Sequence, residues 1–101
     1  MDRYRIRLTA EAEADLAHIY RLVRKGSASN HTARNYTARI MTFLAGFDTF
    51  PERGSIRDAI RPGLRIVGFE RRVSVAFVVE ADEVVILRLL YAGQQFDDHE
   101  A

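Results

Sequence analysis

The chain has 101 residues, a formal net charge of +1 at pH 7 and a hydrophobic fraction of 48%. These values are typical of one globular domain and exclude a chain that is disordered throughout. The absence of cysteine excludes a disulfide framework and a thiolate metal site. No apolar run approaches the roughly 20 residues that span a bilayer, and no secretion signal is recognisable. We therefore expect one cytoplasmic domain over residues 1–101, without a membrane segment and with residues 93–101 as a mobile tail.

The kind of basic residue is more informative than the net charge. Lys25 is the only lysine, so that arginine supplies 14 of the 15 basic side chains. Arginine offers a planar fork that pairs with carboxylates and phosphates and stacks on flat groups. A genome rich in G and C explains such a bias equally well. The positions of the arginines must therefore decide whether they indicate a function.

The first half of the chain predicts one strand and two helices. Residues 4–8 alternate apolar side chains with arginine, which is typical of a strand with one charged face. Thr9 offers an N-cap for a first amphipathic helix, and Gly26 is expected to end it. A second apolar stripe follows at helical spacing, and Pro51 is expected to end that helix. Because only residues 27–30 join the helices, they form an antiparallel hairpin.

The second half of the chain predicts three strands, near residues 64–69, 72–80 and 84–91. The order of elements is then β-α-α-β-β-β. Since the two helices reverse the chain twice, we expect the first strand to join the meander antiparallel at an edge. The result is an α+β fold of two layers, in which the helical hairpin packs on one face of a mainly antiparallel four-stranded sheet.

The other face of this sheet is expected to be partly apolar. If the odd-numbered residues 73–79 face the helices, the even-numbered ones between them face away. On the last strand, either Ile86 and Leu90, or Leu87 and Leu89, must also face away from the helices. Such a surface needs a cover, which the tail, a second copy or a partner chain would provide.

Four segments of the chain resemble, in order and spacing, the RelE/ParE superfamily of toxins from type II toxin–antitoxin pairs. They are residues 8–16 (LTAEAEADL), 47–54 (FDTFPERG), 61–65 (RPGLR) and 87–93 (LRLLYAG). The resemblance implies a toxin that arrests growth, serves in plasmid stabilisation and is neutralised by a cognate antitoxin in a hetero-oligomer. The wording of the segments is closer to ParE than to RelE, although Tyr91 stands in the place of a ParE histidine.

The superfamily has two activities, and both remain open at this point. ParE-like members inhibit DNA gyrase, whereas RelE-like members cleave mRNA on the ribosome. RNA cleavage needs a base, an acid and cations around the phosphate, for which Tyr91, Arg65 and Arg72 are the candidates. A convincing base is missing, because a neighbouring arginine would lower the pKa of Glu70. The sequence therefore favours a gyrase inhibitor without catalytic residues, with the mRNA endoribonuclease as the alternative.

The resemblance also suggests which residues contact partners. The candidates for target binding are Arg61, Arg65, Arg71, Arg72, Arg88 and Tyr91. The candidates for antitoxin binding are Arg5, Arg7, Tyr20, Tyr36, Arg65 and Arg72. Plainer interpretations compete with these assignments: arginines on the first strand protect an exposed sheet edge, and Tyr91 packs against a helix.

Metal and cofactor chemistry is not expected. The three histidines, His18, His31 and His99, have no ligand spacing, so the sequence predicts neither a metal site nor a cofactor. The toxin alone is also not expected to bind nucleic acid in a sequence-specific way.

Overall fold

The computed structural model describes residues 3–27 and 29–91. Its elements, in chain order, are β1 (Arg5–Leu8), α1 (Ala10–Ser27), α2 (Asn30–Ala45), a 3₁₀ turn (Gly46–Asp48), β2 (Ser55–Ile56), β3 (Arg65–Phe69), β4 (Val73–Glu80) and β5 (Glu83–Tyr91). The predicted α+β order is confirmed, with β2 as an unpredicted addition. The predicted tail at residues 93–101 lies outside the described residues.

Both predicted helix ends need correction. Helix α1 continues through Gly26 to Ser27, where the Ser27 hydroxyl donates to the Val23 carbonyl at 2.9 Å. Helix α2 stops at Ala45, before Pro51, because the chain tightens there into the 3₁₀ turn. The Arg53 guanidinium donates to the Gly46 carbonyl at 2.8 Å. This bond gives a partner to one of the carbonyl groups that remain without an intrahelical hydrogen bond at a helix C-terminus.

The sheet has five strands in the order β1-β5-β4-β3-β2, not four. Strand β1 pairs parallel with β5, with Arg5 opposite Glu83 and Leu8 opposite Ile86, whereas all other pairs are antiparallel. The predicted antiparallel pairing of the first strand is therefore wrong. The reason is β2, a strand of two residues that adds one reversal of chain direction between β1 and β5.

The main core lies between the helical hairpin and the sheet. Its buried residues are Ala12, Ile19, Ile40, Leu44, Phe47, Val73, Val75, Phe77, Val84, Ile86 and Leu89. The predicted orientation of the odd-numbered β4 residues towards the helices is confirmed. Phe47 lies within this core, and its ring centroid is 5.3 Å from that of Phe43 and 4.9 Å from that of Phe77. Burial of each such side chain contributes about 1.5–3 kcal/mol, so this layer dominates the stability.

A β-bulge in β5 explains how the second face is built. The register jumps from Ala76 opposite Arg88 to Phe77 opposite Ile86, which leaves Leu87 as the extra residue. The alternation of β5 therefore breaks, and neither predicted pair of outward residues is right: Leu87 faces outward and Leu89 faces the helices. The outer face carries a smaller apolar cluster of Leu64, Ala76, Val78 and Val85, with Ile66 and Leu87 packed against it.

Helix α1 is attached to this bulge through two side chains. Thr9 acts as the predicted N-cap, because its hydroxyl accepts from the Ala12 amide at 3.0 Å, and it also donates to the Leu87 carbonyl at 2.9 Å. The Asp15 carboxylate accepts from Arg88 Nε and Nη2 at 2.7 and 3.0 Å and from the Leu89 amide at 2.9 Å. Thr9 and Asp15 thus supply hydrogen-bond partners to the Leu87 carbonyl and the Leu89 amide, beyond Ile86, the last β5 residue that pairs with β1.

We predict that Asp15→Ala destabilises the protein by about 1–3 kcal/mol, because it leaves the part-buried Leu89 amide without an acceptor. Asp15→Asn retains one acceptor oxygen and should have a smaller effect. Urea unfolding followed by circular dichroism measures both, and Glu13→Gln on the exposed side of α1 is the control. An unchanged midpoint for Asp15→Ala would contradict this role.

Two glycines of positive φ provide a matched pair of stability tests. Gly54 has φ +71°, and a Cβ there would lie 2.1 Å from the Ile66 carbonyl oxygen. Gly63 has φ +80° but open space around it. We expect Gly63→Ala to lose only about 1–2 kcal/mol from backbone strain, and Gly54→Ala to lose about 3 kcal/mol or more, since overpacking adds to the strain. Equal losses in thermal unfolding would show that the steric contact is relieved.

Candidate functional site

A cationic and aromatic cluster lies at the end of the sheet where β3 turns into β4 and β5 ends. The register places Phe69 opposite Val73, and Val73 opposite Tyr91, so three strands reach this end together. Helix α2 contributes two further side chains. We call this cluster the hairpin site, and it consists of Tyr36, Arg39, Phe69, Glu70, Arg71, Arg72 and Tyr91.

Tyr36 is the aromatic centre of the hairpin site. Its ring centroid lies 6.3 Å from that of Phe69 and 6.1 Å from that of Tyr91, the latter in an edge-to-face arrangement. The Arg39 guanidinium lies 5.1 Å from the Tyr36 ring centroid, within the range of a cation–π contact. The Tyr36 hydroxyl is buried and has no hydrogen-bond partner among the described residues. Burial raises the pKa of Tyr36, with Tyr91 and Glu70 adding to the effect, so the hydroxyl keeps its proton.

The Glu70 carboxylate is held by a fork from helix α2. Arg39 Nε and Nη2 donate to its two oxygens, each at 2.9 Å. This hydrogen-bonded pairing lowers the pKa of Glu70 and raises the pKa of Arg39. The sequence predicted the direction of the Glu70 shift, but the arginine responsible is Arg39 and not a neighbour in the turn. A carboxylate held in this way is a weak proton acceptor at neutral pH.

The turn itself has an uncommon backbone. Glu70 and Arg71 have φ values of 50° and 64°, and the Arg72 amide donates to the Phe69 carbonyl at 3.1 Å. Two consecutive positive φ values are the requirement of a type I′ hairpin turn, which usually carries Asn and Gly. Non-glycine residues in this region cost about 1–3 kcal/mol each. The turn therefore stores strain that its surroundings must hold.

Arg71 and Arg72 are two exposed cations in the turn of the hairpin site. No carboxylate of the described residues forms an ion pair with either of them. Because Glu70 is already bound by Arg39, the two guanidinium groups leave a local excess of positive charge at the turn. Such a surface favours an acidic or anionic partner.

The remaining target-binding candidates lie elsewhere. Arg65 stands opposite Phe77, four positions along β4 from Val73, or about 13 Å, and donates to the Arg53 carbonyl at 3.3 Å. Arg61 and Arg88 line a separate cavity of about 280 Å³ on the outer side of the sheet. The structure thus brings Arg71, Arg72 and Tyr91 together and separates the other three arginines from them.

The antitoxin-binding candidates on β1 are engaged in ion pairs with the β4–β5 turn. Arg5 lies 3.3 Å from Asp82, and Arg7 lies 3.1 Å from Glu83. The hydrogen bond from Arg7 lowers the pKa of Glu83 and raises that of Arg7. These exposed pairs fix the orientation of the edge strand but contribute little to stability.

Tyr20 lies on the outer side of the helical hairpin. Its hydroxyl donates to Asn30 Oδ1 at 3.1 Å, where Arg24 Nε also donates. It lines a groove of about 670 Å³ between α1 and α2, together with Leu16, Met41 and their neighbours. The antitoxin candidates therefore occupy three regions: the β1 edge, this interhelical groove and the hairpin site, which contains Tyr36 and Arg72.

Sequence reasoning missed Arg39. It stands three positions after Tyr36, so both share one side of α2, and that spacing was a usable signal for a common environment. Its pairing with Glu70 joins residues 31 positions apart, and no local pattern indicates such a contact.

Two other kinds of feature are absent from the described ranges. None of the helices in residues 3–27 and 29–91 has the length and apolar character that crossing a membrane requires. In the same residues, no three side chains of the usual metal-binding types are grouped.

Several solved structures are similar to this chain, and two of them come from P. aeruginosa and Helicobacter pylori. A chain of the chromosomal ParDE toxin–antitoxin system of P. aeruginosa has a TM-score of 0.76 at 25% identity, over 89% of this chain and 97% of that one. A conserved hypothetical protein of Helicobacter pylori, solved in solution, has a TM-score of 0.52 at 17% identity, over 87% of this chain and 93% of that one. The second likeness shows the fold alone. No protein of curated function matches the chain.

The family model of the ParE toxin of the type II toxin–antitoxin system parDE matches residues 6–96. This match covers both helices and all five strands except the first residue of β1. It confirms the resemblance to the RelE/ParE superfamily and the preference for its ParE branch. The chain therefore belongs to the ParE family, the toxins of type II toxin–antitoxin systems.

Proposed function

We propose that this ParE-type toxin inhibits DNA gyrase in the cytoplasm and that a cognate antitoxin neutralises it by direct binding. The proposal rests on the family match and on one observation at the hairpin site. The carboxylate beside the exposed arginines is bound at both oxygens by Arg39. The site is thereby suited to hold an acidic surface and poorly suited to move protons.

The alternative, ribosome-dependent mRNA cleavage, would require groups that this arrangement does not bring together. The pKa of Glu70 is lowered and that of Tyr36 is raised, so neither is adapted to accept a proton at neutral pH. Arg65 stands about 13 Å along the sheet from the end at which Tyr91 lies. Of the candidate nuclease residues, only Arg72 and Tyr91 share a site.

The antitoxin is expected to combine acidic and apolar side chains. The interhelical groove offers apolar contacts, since Met41 within it is 42% exposed. Acidic residues of the antitoxin would pair with Arg72 at the hairpin site and with Arg65. An antitoxin that covers the interhelical groove and the hairpin site would also block the access of gyrase to the exposed turn.

We predict that the purified toxin inhibits gyrase supercoiling of relaxed plasmid and that Arg71→Ala/Arg72→Ala needs at least about tenfold more protein for the same effect. The reason is the loss of two cations at the turn that form no ion pair within the described part of the chain. Arg21→Ala/Lys25→Ala, which removes the same charge from the exposed surface of α1, is the control and should act like the wild type. Absence of inhibition by excess wild-type toxin would refute the proposal.

Induction of the toxin in cells separates the two activities. A gyrase inhibitor should produce DNA breaks in cells and leave mRNA intact. A ribonuclease should produce new mRNA ends, and Tyr91→Phe should lower their rate by about 100-fold or more if Tyr91 transfers the proton. New mRNA ends without DNA damage would therefore favour the alternative.

We also predict that antitoxin binding weakens as salt rises and in Arg65→Ala/Arg72→Ala, because screening and charge removal act on the same ion pairs. Isothermal titration calorimetry at two salt concentrations measures this, with Arg21→Ala/Lys25→Ala as the charge-matched control. Tight binding that is insensitive to both changes would exclude ion pairing as a determinant.

A further inference from the structure

The pairing of Arg39 with Glu70 is bidentate, although neither side chain is buried. The Arg39 side chain is 52% exposed and that of Glu70 is 39% exposed. Exposed ion pairs contribute little to global stability. A bidentate fork, however, fixes the relative orientation of its two groups. The effect of this pair is therefore expected on the local geometry of the turn.

The local geometry needs such support. Glu70 has φ 50°, a conformation that a glutamate rarely adopts, and Arg71 follows with φ 64°. The fork attaches the first of these residues to helix α2. The Arg39 guanidinium in turn lies over the Tyr36 ring, 5.1 Å from its centroid, in a cation–π contact. The strained turn is thus held from outside the hairpin.

The fork also determines which charges are available. Without Arg39, the Glu70 carboxylate stands next to two arginines in the chain and would pair with them. With Arg39 in place, both Glu70 oxygens are occupied at 2.9 Å. The guanidinium groups of Arg71 and Arg72 then do not pair with Glu70 and remain available to a partner.

We propose that Arg39 is a positioning residue of the toxin: it holds Glu70 in the left-handed conformation and keeps its carboxylate away from Arg71 and Arg72, so that these two cations are presented together to an acidic surface of the target. The inference rests on the proposed function in one respect: the turn that carries Arg71 and Arg72 is taken to contact gyrase. Arg39 itself does not contact the target.

The test is a rescue experiment with four variants: Arg39→Gln, Glu70→Asn, the double variant and Arg34→Gln. Arg39→Gln should weaken gyrase binding by about tenfold, a coupling of the size found between residues of one ion-pair network. Asparagine at position 70 has no charge and tolerates the positive φ of a type I′ turn. The double variant should therefore regain an affinity within about twofold of that of Glu70→Asn alone, since the coupling has been removed. Arg34→Gln, an exposed change on the same helix, should bind like the wild type.

A second readout does not depend on gyrase. The backbone chemical shifts and amide–Hα couplings of residues 70 and 71 in NMR spectra report the turn conformation. They should change in Arg39→Gln and return in the double variant.

Two outcomes would overturn the inference. If the double variant binds as weakly as Arg39→Gln, Arg39 contacts the target directly. If Arg39→Gln changes neither the affinity nor the spectra, the fork has no positioning role. If the wild-type toxin does not bind gyrase at all, the proposed function fails, and the NMR comparison alone decides whether Arg39 positions the turn.

Discussion

The architecture depends on the three hydrogen bonds that the Asp15 carboxylate accepts from β5. Two come from Arg88 and one from the Leu89 amide, all between 2.7 and 3.0 Å. They hold α1 against the strand at the point where the bulge changes the side-chain alternation. Leu87 faces outward and Leu89 faces inward beside this contact, so that it lies where β5 contributes to both apolar clusters of the sheet. The pairing also occupies the Arg88 fork, which gives this arginine an internal structural role.

The same use of arginine recurs over much of the described structure. The ion pairs join Arg3 to Asp48, Arg5 to Asp82, Arg7 to Glu83, Arg39 to Glu70 and Arg88 to Asp15. Each fixes the orientation of a strand, turn or helix against its neighbour. Arg71 and Arg72 differ from these arginines because they lie in the β3–β4 turn, where the neighbouring Glu70 carboxylate is already bound by Arg39. The local excess of positive charge at the hairpin site therefore arises from the contrast between the paired arginines and two that have no ion pair within residues 3–27 and 29–91.

The sequence was sufficient where local patterns decide the structure. Alternation predicted the strands, and the Thr9 cap with the apolar stripes predicted the helices, because both depend on neighbouring residues. It was insufficient for β2, since the two residues Ser55–Ile56 are too short to form a pattern. That omission reversed the predicted direction of β1. The bulge at Leu87 was also invisible, because β5 is apolar at every position from Val84 to Leu90 except Arg88 and so has no alternation that a bulge could interrupt. At the candidate site, Arg71, Arg72, Tyr36 and Tyr91 were identified from sequence, but the Arg39 fork required the tertiary structure.

The parallel pairing of β1 with β5 has a consequence for the order of folding. Arg5 pairs with Glu83, so the contact closes a loop that contains most of the chain. Such non-local pairs form late, since the entropy of loop closure must be overcome before the contact contributes. During synthesis on the ribosome, β1 has no strand partner until residues 83–91 have emerged. Those residues also bring Arg88 to Asp15 and Tyr91 to Tyr36. A nascent or truncated chain without these residues therefore lacks an assembled hairpin site.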